Sequence, residues 1–386
     1  MHVGGRDKSM PAVAGGPQLL LLLLREKRAP RPSRRTRSCW SQRPSKGPDE
    51  GAQMSNAMCN STAMPYQDSQ HLLVAVYSTV FIIGIPTNCL TAFLTLVQIR
   101  KGTIAAIYLF GLSLCELMYL CTLPLWILYV QNGRDWKLGD LSCQVTGYIF
   151  FCNIYISILL LCCISIDRYV AVVYALESRG IRRQRMAAIV TTSLFVTVAV
   201  IYCPIFFQEE IHQKKSRICF ETPLNRRIAS YNVARFFVGF LIPFTLLLFM
   251  NYRIFQSIKR SCSLSPPQKT KVKRLAIAII AIFLVCFAPY HVVLLIRSGV
   301  YFLHPAESCS FERGIYTISV VFLCFSTANS VADPFIYVLA SENARHEICR
   351  AFAACGIQLS SGSKTDSSKA DDSQRPTKET GNKEDR

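Results

Sequence analysis

Residues 143–169 read CQVTGYIFFCNIYISILLLCCISIDRY, an almost wholly apolar stretch that begins with a cysteine and ends in Asp-Arg-Tyr. An α-helix rises about 1.5 Å per residue, so the stretch can cross a hydrocarbon core about 30 Å thick. Asn153 and Ser157 interrupt the apolar run four residues apart and therefore share one helix face. We expect that face to look into a helix bundle, because polar groups inside a membrane are costly when they face lipid.

The inner end of the stretch, Asp167-Arg168-Tyr169, places an acid beside a permanently charged guanidinium at the membrane boundary. Such neighbours form a charge-assisted pair that can act as a lock, which opens when another partner competes for the arginine. The alternative is an arginine that only ends the helix and extends its charge to water. The tripeptide alone does not decide between them.

The composition is that of a membrane protein. The 386 residues are 51% hydrophobic and 17% charged, whereas an ordinary soluble domain is about 25% charged. The formal net charge of +19 would suit a nucleic-acid partner. However, the Lys and Arg residues lie in loops and termini between apolar runs, as expected for segments that face anionic cytoplasmic lipid. We therefore expect membrane lipids, and no nucleic acid, as partners.

Seven apolar runs predict an all-α fold, a bundle of seven transmembrane helices within residues 71–340. The runs cover residues 72–99, 104–130, 140–168, 186–208, 231–258, 272–297 and 313–340. Basic residues cluster after the first, third and fifth runs, which places those loops in the cytoplasm of a multi-pass plasma-membrane protein. The N-terminus is then extracellular and the C-terminus cytoplasmic. Proline lies inside or near an end of six runs, which predicts kinked helices able to pivot.

The N-terminal segment, residues 1–70, is expected to be disordered and extracellular. Residues 1–53 are basic and rich in Pro and Ser, and we interpret them as the result of an alternative upstream start. Asn60 begins an Asn-Ser-Thr sequon, which predicts a glycan on the outer side.

The C-terminal segment is expected to begin with an amphipathic helix, residues 341–355, on the cytoplasmic membrane surface. Cys349 and Cys355 are candidate acylation sites there. Residues 356–386 predict a disordered cytoplasmic tail rich in phosphorylation sites.

Among the cysteines outside or at the edge of the apolar runs, four on the outer side are candidates for disulfides, namely Cys59, Cys143, Cys219 and Cys309. A Cys143–Cys219 bridge would hold the loop before the fifth run over the mouth of the bundle, and a Cys59–Cys309 bridge would narrow that mouth further. Four cysteines allow three connectivities, so the residues alone leave the pairing open.

Together these residues resemble the rhodopsin-like (class A) family of G-protein-coupled receptors. The motifs that carry the resemblance are Asn88, Leu-Cys-Glu116-Leu, Trp136-x-x-Gly139-x-x-x-Cys143, Asp167-Arg168-Tyr169, Pro243, Cys286-Phe-Ala-Pro289 and Asp333-Pro334-x-x-Tyr337. Segments 121–126, 147–180 and 287–291 are similar to the proton-sensing and lysolipid group of that family. The chain departs from the family's usual Asp, Tyr, Trp and Pro at Glu116, Asn251, Phe287 and Ala175. These departures leave open the details of the switch, above all the link between Asn251 and Tyr337.

The resemblance implies a receptor and not an enzyme. It implies a receptor for an acidic lipid, such as an oxidised free fatty acid, that activates a heterotrimeric G protein and is modulated by extracellular protons. Receptor kinases and arrestin are the partners expected at the tail. A receptor for protons alone is the alternative within the family. A transporter or channel is the alternative from another class, and it would show internal repeats that this sequence lacks.

By resemblance, five residues line a polar pocket at mid-membrane: Glu116, Asn153, Ser157, Asn329 and Asp333. Two carboxylates in a dry pocket repel each other, so we expect a shared proton or a sodium ion between them. No other cofactor or metal is expected.

Arg235 is the expected anchor of the ligand, since an arginine within an apolar run is costly unless it faces a cavity and meets an anion. A lipid carboxylate is the expected anion; the alternatives are an internal pair with an acid of the receptor and an arginine that only ends the helix. The lipid tail is expected among Phe151, Tyr155, Phe236, Tyr290 and His291. Arg297 is a second candidate anchor that reads equally well as a cation extended to water.

Signalling is expected to run through Arg168. Outward motion of the sixth helix, kinked at Pro289, would free Arg168 from Asp167 and open a cleft for the terminal helix of a G-protein α subunit. Tyr169 and Tyr337 are assigned to the same switch. Leu176 of the second inner loop is expected to fill a pocket on the G protein.

Overall fold

The structure, a computed structural model, describes residues 65–174, 183–204, 218–219, 224–260, 265–340 and 348. The described part of the chain contains α-helices and two π-helical segments. The α-helices are α1 (Tyr66–Arg100), α2 (Ala105–Leu120), α3 (Leu123–Gln131), α4 (Asp140–Val173), α5 (Gln184–Tyr202), α6 (Arg226–Ala234), α7 (Ile242–Arg260), α8 (Pro266–Ile282), α9 (Ala288–Leu303) and α10 (Ser308–Ala340). The π-helical segments are Arg235–Leu241 and Phe283–Phe287.

Within the described residues, seven helical runs are long and apolar enough to cross a membrane, which confirms the predicted seven-helix bundle. The second run joins α2 and α3, the fifth joins α6 and α7 through the first π-segment, and the sixth joins α8 and α9 through the second. Each π-segment ends close to a proline, Pro243 or Pro289. A wide π-turn there accommodates a proline ring that would clash with the preceding turn of a regular α-helix.

Five of the seven spans begin earlier than their apolar runs, and the first and the sixth illustrate the reason. The first starts at Tyr66, so the boundary of the N-terminal segment at residue 70 was too late. The sixth starts at Pro266, where Ser265 and Gln268 form a capping box. An apolar run marks only the part of a helix that meets lipid, whereas helical hydrogen bonding continues through polar and basic residues beyond it.

The third span, α4, lies at the centre of the bundle. In its most apolar 18-residue stretch, 67% of the residues are buried, against 11% in the corresponding stretch of α5. α4 packs against α2, α5, α7 and α8, and its Leu160 and Leu161 are fully buried beside Phe283, Phe287 and Tyr337 of the core. α5 instead exposes large apolar side chains, among them Ile189, Val196 and Val200. In a membrane these side chains meet lipid.

A disulfide joins Cys143 at the outer end of α4 to Cys219. The backbone N–H of Cys219 donates a hydrogen bond to the Tyr129 hydroxyl at 3.2 Å. Tyr129 packs edge-on against Trp136 with ring centroids 5.5 Å apart. Cys309 is also disulfide-bonded, and Cys59 lies outside the described residues. Cys219 is thus tied to α4 by the disulfide and to α3 by the hydrogen bond.

Several predictions from sequence lie outside the described residues. They concern the segment 1–53, the glycosylation site Asn60, the loop residue Leu176, the helix 341–355 with Cys349 and Cys355, and the tail 356–386.

Candidate functional site

Arg235 is the first residue of the π-segment that joins α6 to α7. Its guanidinium carbon lies 4.3 Å from the centroid of the Phe151 ring and 5.9 Å from that of Tyr202. One guanidinium nitrogen donates to the Asn232 side-chain oxygen at 3.3 Å. No carboxylate among the described residues pairs with Arg235. The cation is therefore held by aromatic faces and one neutral amide, and it can still accept an anion.

The predicted tail residues form an aromatic wall next to this cation. Tyr155 stacks on Tyr202 with ring centroids 5.2 Å apart and meets the edge of His291 at 5.8 Å. His291 also contacts Tyr290 at 5.3 Å and stacks on Phe240 at 4.9 Å. The wall extends to Phe236, whose ring centroid lies 6.0 Å from that of Phe240. The structure therefore brings the anchor and the predicted tail residues into one continuous cluster.

Arg297, the second candidate anchor, is already paired with an acid of the protein. Its guanidinium makes a bidentate ion pair with Glu312, in which Nε lies 2.8 and 2.9 Å from the two carboxylate oxygens and a terminal nitrogen also contacts the carboxylate. The pair joins the outer ends of α9 and α10. Because Arg297 already has an acid as its partner, we correct its assignment from ligand anchor to interhelical ion pair.

The mid-membrane pocket is built around Glu116, which is fully buried. One carboxylate oxygen accepts hydrogen bonds from Ser157 at 2.7 Å and from the Asn329 amide at 3.0 Å. The other accepts one from Ser330 at 2.5 Å. The same Asn329 amide nitrogen lies 3.0 Å from Asp333. One amide therefore links the two carboxylates that the sequence placed here.

Asn153 lies beside this pocket, and its amide donates to the sulfur of Cys115 at 3.6 Å. Three buried oxygen atoms of the pocket have no hydrogen-bond partner among the described residues, namely Asn88 Oδ1, Asn329 Oδ1 and Asp333 Oδ1. All three are acceptors. An excess of acceptors around two carboxylates is the chemistry that holds a proton or a small hard cation. No group of three or more His, Cys, Asp or Glu residues suited to a metal ion is present in the described ranges.

At the inner end of α4, Arg168 donates to the neighbouring Asp167 at 2.8 Å, so the predicted pair is closed. Asp167 is nearly buried, with its side chain 5% exposed, and Arg168 is 25% exposed. Tyr169 contacts Tyr174 through the two hydroxyl groups at 3.4 Å. The Asp167 carboxylate is thus largely withdrawn from solvent, whereas the Arg168 side chain stays partly accessible.

Tyr337, also assigned to the switch, accepts a hydrogen bond from Gln98 at 3.2 Å. The Asn251 amide donates to the Leu247 carbonyl oxygen within its own helix at 2.9 Å. In this conformation Tyr337 is therefore tied to the first helix, and Asn251 is satisfied locally.

Sequence reasoning missed several residues of these sites, and four of them make direct contacts with predicted ones. Glu312 pairs with Arg297, and Ser330 donates to the Glu116 carboxylate. Tyr202 lies under the Arg235 guanidinium, and Gln98 donates to the Tyr337 hydroxyl. Ser330 follows Asn329 directly, so a polar pair at this point of the seventh run was a usable signal. The other three contacts depend on how separate helices meet, which no local pattern reveals.

Comparison with known proteins places these features in a family. The model of the 7 transmembrane receptor (rhodopsin family) matches residues 87–337. The probable G-protein coupled receptor 132 of Mus musculus is 54% identical over 289 residues, which is 74% of this chain and 75% of that protein. The G-protein coupled receptor 68 of Mus musculus is 38% identical over 291 residues, 74% of this chain and 78% of that protein.

A human protein named uracil nucleotide/cysteinyl leukotriene receptor is 31% identical over 293 residues, 75% of this chain and 78% of that protein. These relatives are receptors, so the prediction of a receptor and not an enzyme is confirmed. The match also decides against a transporter or channel. The protein is a multi-pass protein of the plasma membrane. On its match to residues 87–337, the chain belongs to the rhodopsin family of seven-transmembrane receptors.

Proposed function

We propose that this chain is a receptor for an acidic lipid, in particular an oxidised free fatty acid, and that it passes the signal to a heterotrimeric G protein. The family implies the G protein as partner. The observation that carries the ligand proposal is Arg235, a cation within a membrane span that stacks on two aromatic rings and has no described acid as partner.

The chemistry of Arg235 suits a carboxylate better than a neutral ligand. A guanidinium offers a rigid fork of donors that matches both oxygens of a carboxylate. The rings of Phe151 and Tyr202 hold the fork in position, so little side-chain freedom is lost on binding. The adjoining wall of Tyr155, Tyr290 and His291 offers apolar faces to an alkyl chain.

The name of one relative supports an anionic ligand. The human receptor at 31% identity is named for a uracil nucleotide and a cysteinyl leukotriene, and both of these ligands are anions. This support concerns the charge of the ligand and leaves its identity to experiment.

Acid sensing is the second candidate function, and the mid-membrane pocket favours it. Glu116 and Asp333 share one amide, and unpartnered acceptors surround them. A proton or a sodium ion bound there would relieve the repulsion between the carboxylates and stabilise one helix arrangement. In the proposed scheme this pocket modulates the response to lipid.

On the cytoplasmic side, the closed pair of Asp167 and Arg168 is proposed to open when the sixth span moves outward. The G-protein α subunit would then contact Arg168. The N-terminus is extracellular in this scheme, and receptor kinases and arrestin act on the cytoplasmic tail.

A cell-based test uses Arg235→Gln, which removes the charge and keeps a polar side chain of intermediate length. Second messengers of each G-protein class are measured at fixed pH while an oxidised fatty acid is titrated. We expect at least about a 30-fold loss of potency at unchanged surface expression, because the carboxylate loses its charged partner. The control Asn232→Ala removes the amide contact and keeps the cation. Full potency in Arg235→Gln would refute the carboxylate anchor.

A further inference from the structure

Two segments that are far apart in the sequence meet at the inner end of the bundle, which is the end that carries Arg168. The Gln184 side-chain amide donates a hydrogen bond to the backbone carbonyl oxygen of Ile99 at 2.7 Å. Ile99 lies in the last turn of α1, and Gln184 is the first residue of α5. α2 packs against both helices. The hydrogen bond therefore fixes the start of α5 beside the end of α1.

This contact brings exposed cations from both segments together. One pair follows Ile99 in the chain, and the other flanks Gln184. The four residues are Arg100, Lys101, Arg183 and Arg185, and the side chain of each is exposed. Successive Cα atoms are about 3.8 Å apart, so all four lie within two residues of the hydrogen-bonded pair. Among the described residues, the only acid at this end of the bundle is Asp167, which pairs with Arg168.

Membrane orientation and helix stability do not explain this arrangement. The positive-inside rule accounts for basic residues in each segment taken alone, but it does not require a hydrogen bond between the two segments. Arg183 and Arg185 lie at the start of α5, where the helix dipole favours anions over cations. A joint role of the two pairs explains both why they are held together and why two cations stand at a helix start.

Each pair also lies at the end of an exposed apolar helix face. On α1, Arg100 follows Phe93 by seven residues, which is about two helical turns, and both side chains are exposed. On α5, Arg185 lies four residues before Ile189 and on the same face as Val196, and all three are exposed. In a membrane such apolar faces meet acyl chains. The headgroup of a lipid packed there lies at the level of the arginines.

We propose that these four cations bind the headgroup of a phosphoinositide lipid that carries several phosphate groups. A guanidinium donates two parallel hydrogen bonds to a phosphate, so each arginine suits one such group. A headgroup with several phosphates reaches both pairs at once, whereas phosphatidylserine carries a net charge of about −1 and engages one pair. The bound lipid joins the loop after α1 to the start of α5. The inference takes its orientation, with this end in the cytoplasm, from the proposed function, but it does not involve Arg235.

The test titrates a short-chain phosphatidylinositol bisphosphate into the purified full-length receptor in neutral detergent. Binding is measured from the rise in melting temperature. Phosphatidylserine of the same chain length and free inositol trisphosphate are titrated in parallel. We expect the bisphosphate lipid to bind saturably and at least about ten-fold more tightly than either of them. In the double variant Arg100→Gln/Arg185→Gln its affinity should fall about 30-fold, since each cation near an anionic lipid contributes about five-fold.

Lys273→Gln/Arg274→Gln is the matched control. These exposed residues lie near the start of α8 at the same end of the bundle, and their replacement changes the net charge equally. This control should keep the affinity within about two-fold. Gln184→Met removes the hydrogen bond between the segments at nearly constant side-chain size, and it should weaken binding about three-fold.

Equal losses of affinity in the two double variants would reduce the site to diffuse surface charge and overturn the proposal. Equal binding of phosphatidylserine and the bisphosphate lipid would overturn it in the same way. If free inositol trisphosphate binds as tightly as the lipid, a membrane lipid is not the occupant that the site selects. Each of these results leaves the test of Arg235 unaffected, so failure of this site and failure of the proposed function are separate outcomes.

Discussion

The ion pair between Arg297 and Glu312 connects the outer ends of the sixth and seventh spans, and its removal tests the structure at a defined point. We consider Arg297→Ala, Glu312→Ala and the double variant. Arg297 is 25% exposed and Glu312 is 8% exposed at the side chain. The pair therefore lies between a surface ion pair and a fully buried one.

This position sets the expected size of the effect. An exposed ion pair contributes about 0.5 kcal/mol to folding stability, whereas removing one partner of a buried pair lowers that stability by about 3–5 kcal/mol. The contact is bidentate and the carboxylate is nearly buried. We therefore expect the free energy of unfolding to fall by about 2 kcal/mol in either single variant. At about 2–4 °C per kcal/mol, each single variant should melt about 4–8 °C below the wild type. The double variant should melt close to the single ones, since the second substitution removes a charge that is already unpaired.

The assay is the melting temperature of the purified receptor in detergent. Arg313→Ala is the control, because this neighbouring arginine is exposed and should leave the melting temperature unchanged. Lipid potency in Arg297→Ala should stay within about three-fold of the wild type, in contrast to Arg235→Gln. Additive losses in the double variant, or a loss of potency in Arg297→Ala as large as in Arg235→Gln, would refute the assignment of Arg297.

Three further perturbations address the other sites. Arg168→Ala should keep lipid affinity within about three-fold but abolish nucleotide exchange on the G protein, and intact exchange would rule out the role of the closed pair. Replacing sodium by a bulky organic cation should change agonist affinity in the wild type and not in Asp333→Asn; an equal change in both would show that the ion acts elsewhere. Gly239→Ala should displace the Tyr155 ring and weaken lipid binding by about ten-fold or more, measured by binding to nanodisc receptor, and unchanged affinity would contradict the close packing.

The seven spans could be predicted from the sequence because apolar run length reports directly on membrane thickness. The adjacent pair of Asp167 and Arg168 was equally accessible, since the two residues are neighbours in the chain. Arg235 stood out because a charge within an apolar run is costly wherever the helix is placed. In each case the decisive property is local in the sequence.

The remaining features depend on tertiary geometry. Glu312 meets Arg297 only because the turn after α9 sets the register between two helix ends. The π-segments before Pro243 and Pro289 shift hydrogen bonds by one residue and leave no mark on the hydrophobic pattern. The contact between Tyr155 and His291 is visible only once the packing of the rings is known. The aromatic residues were named from sequence as a tail pocket, and the structure shows which of their rings stack on one another.

The most direct test of the central claim is nucleotide exchange on a purified G protein by the wild-type receptor and Arg235→Gln in nanodiscs, each with an oxidised fatty acid and with its methyl ester. We predict that the acid accelerates exchange by the wild type, and that neither the ester with wild type nor the acid with Arg235→Gln does so at the same concentration. Equal acceleration by acid and ester, or by wild type and variant, would contradict the account.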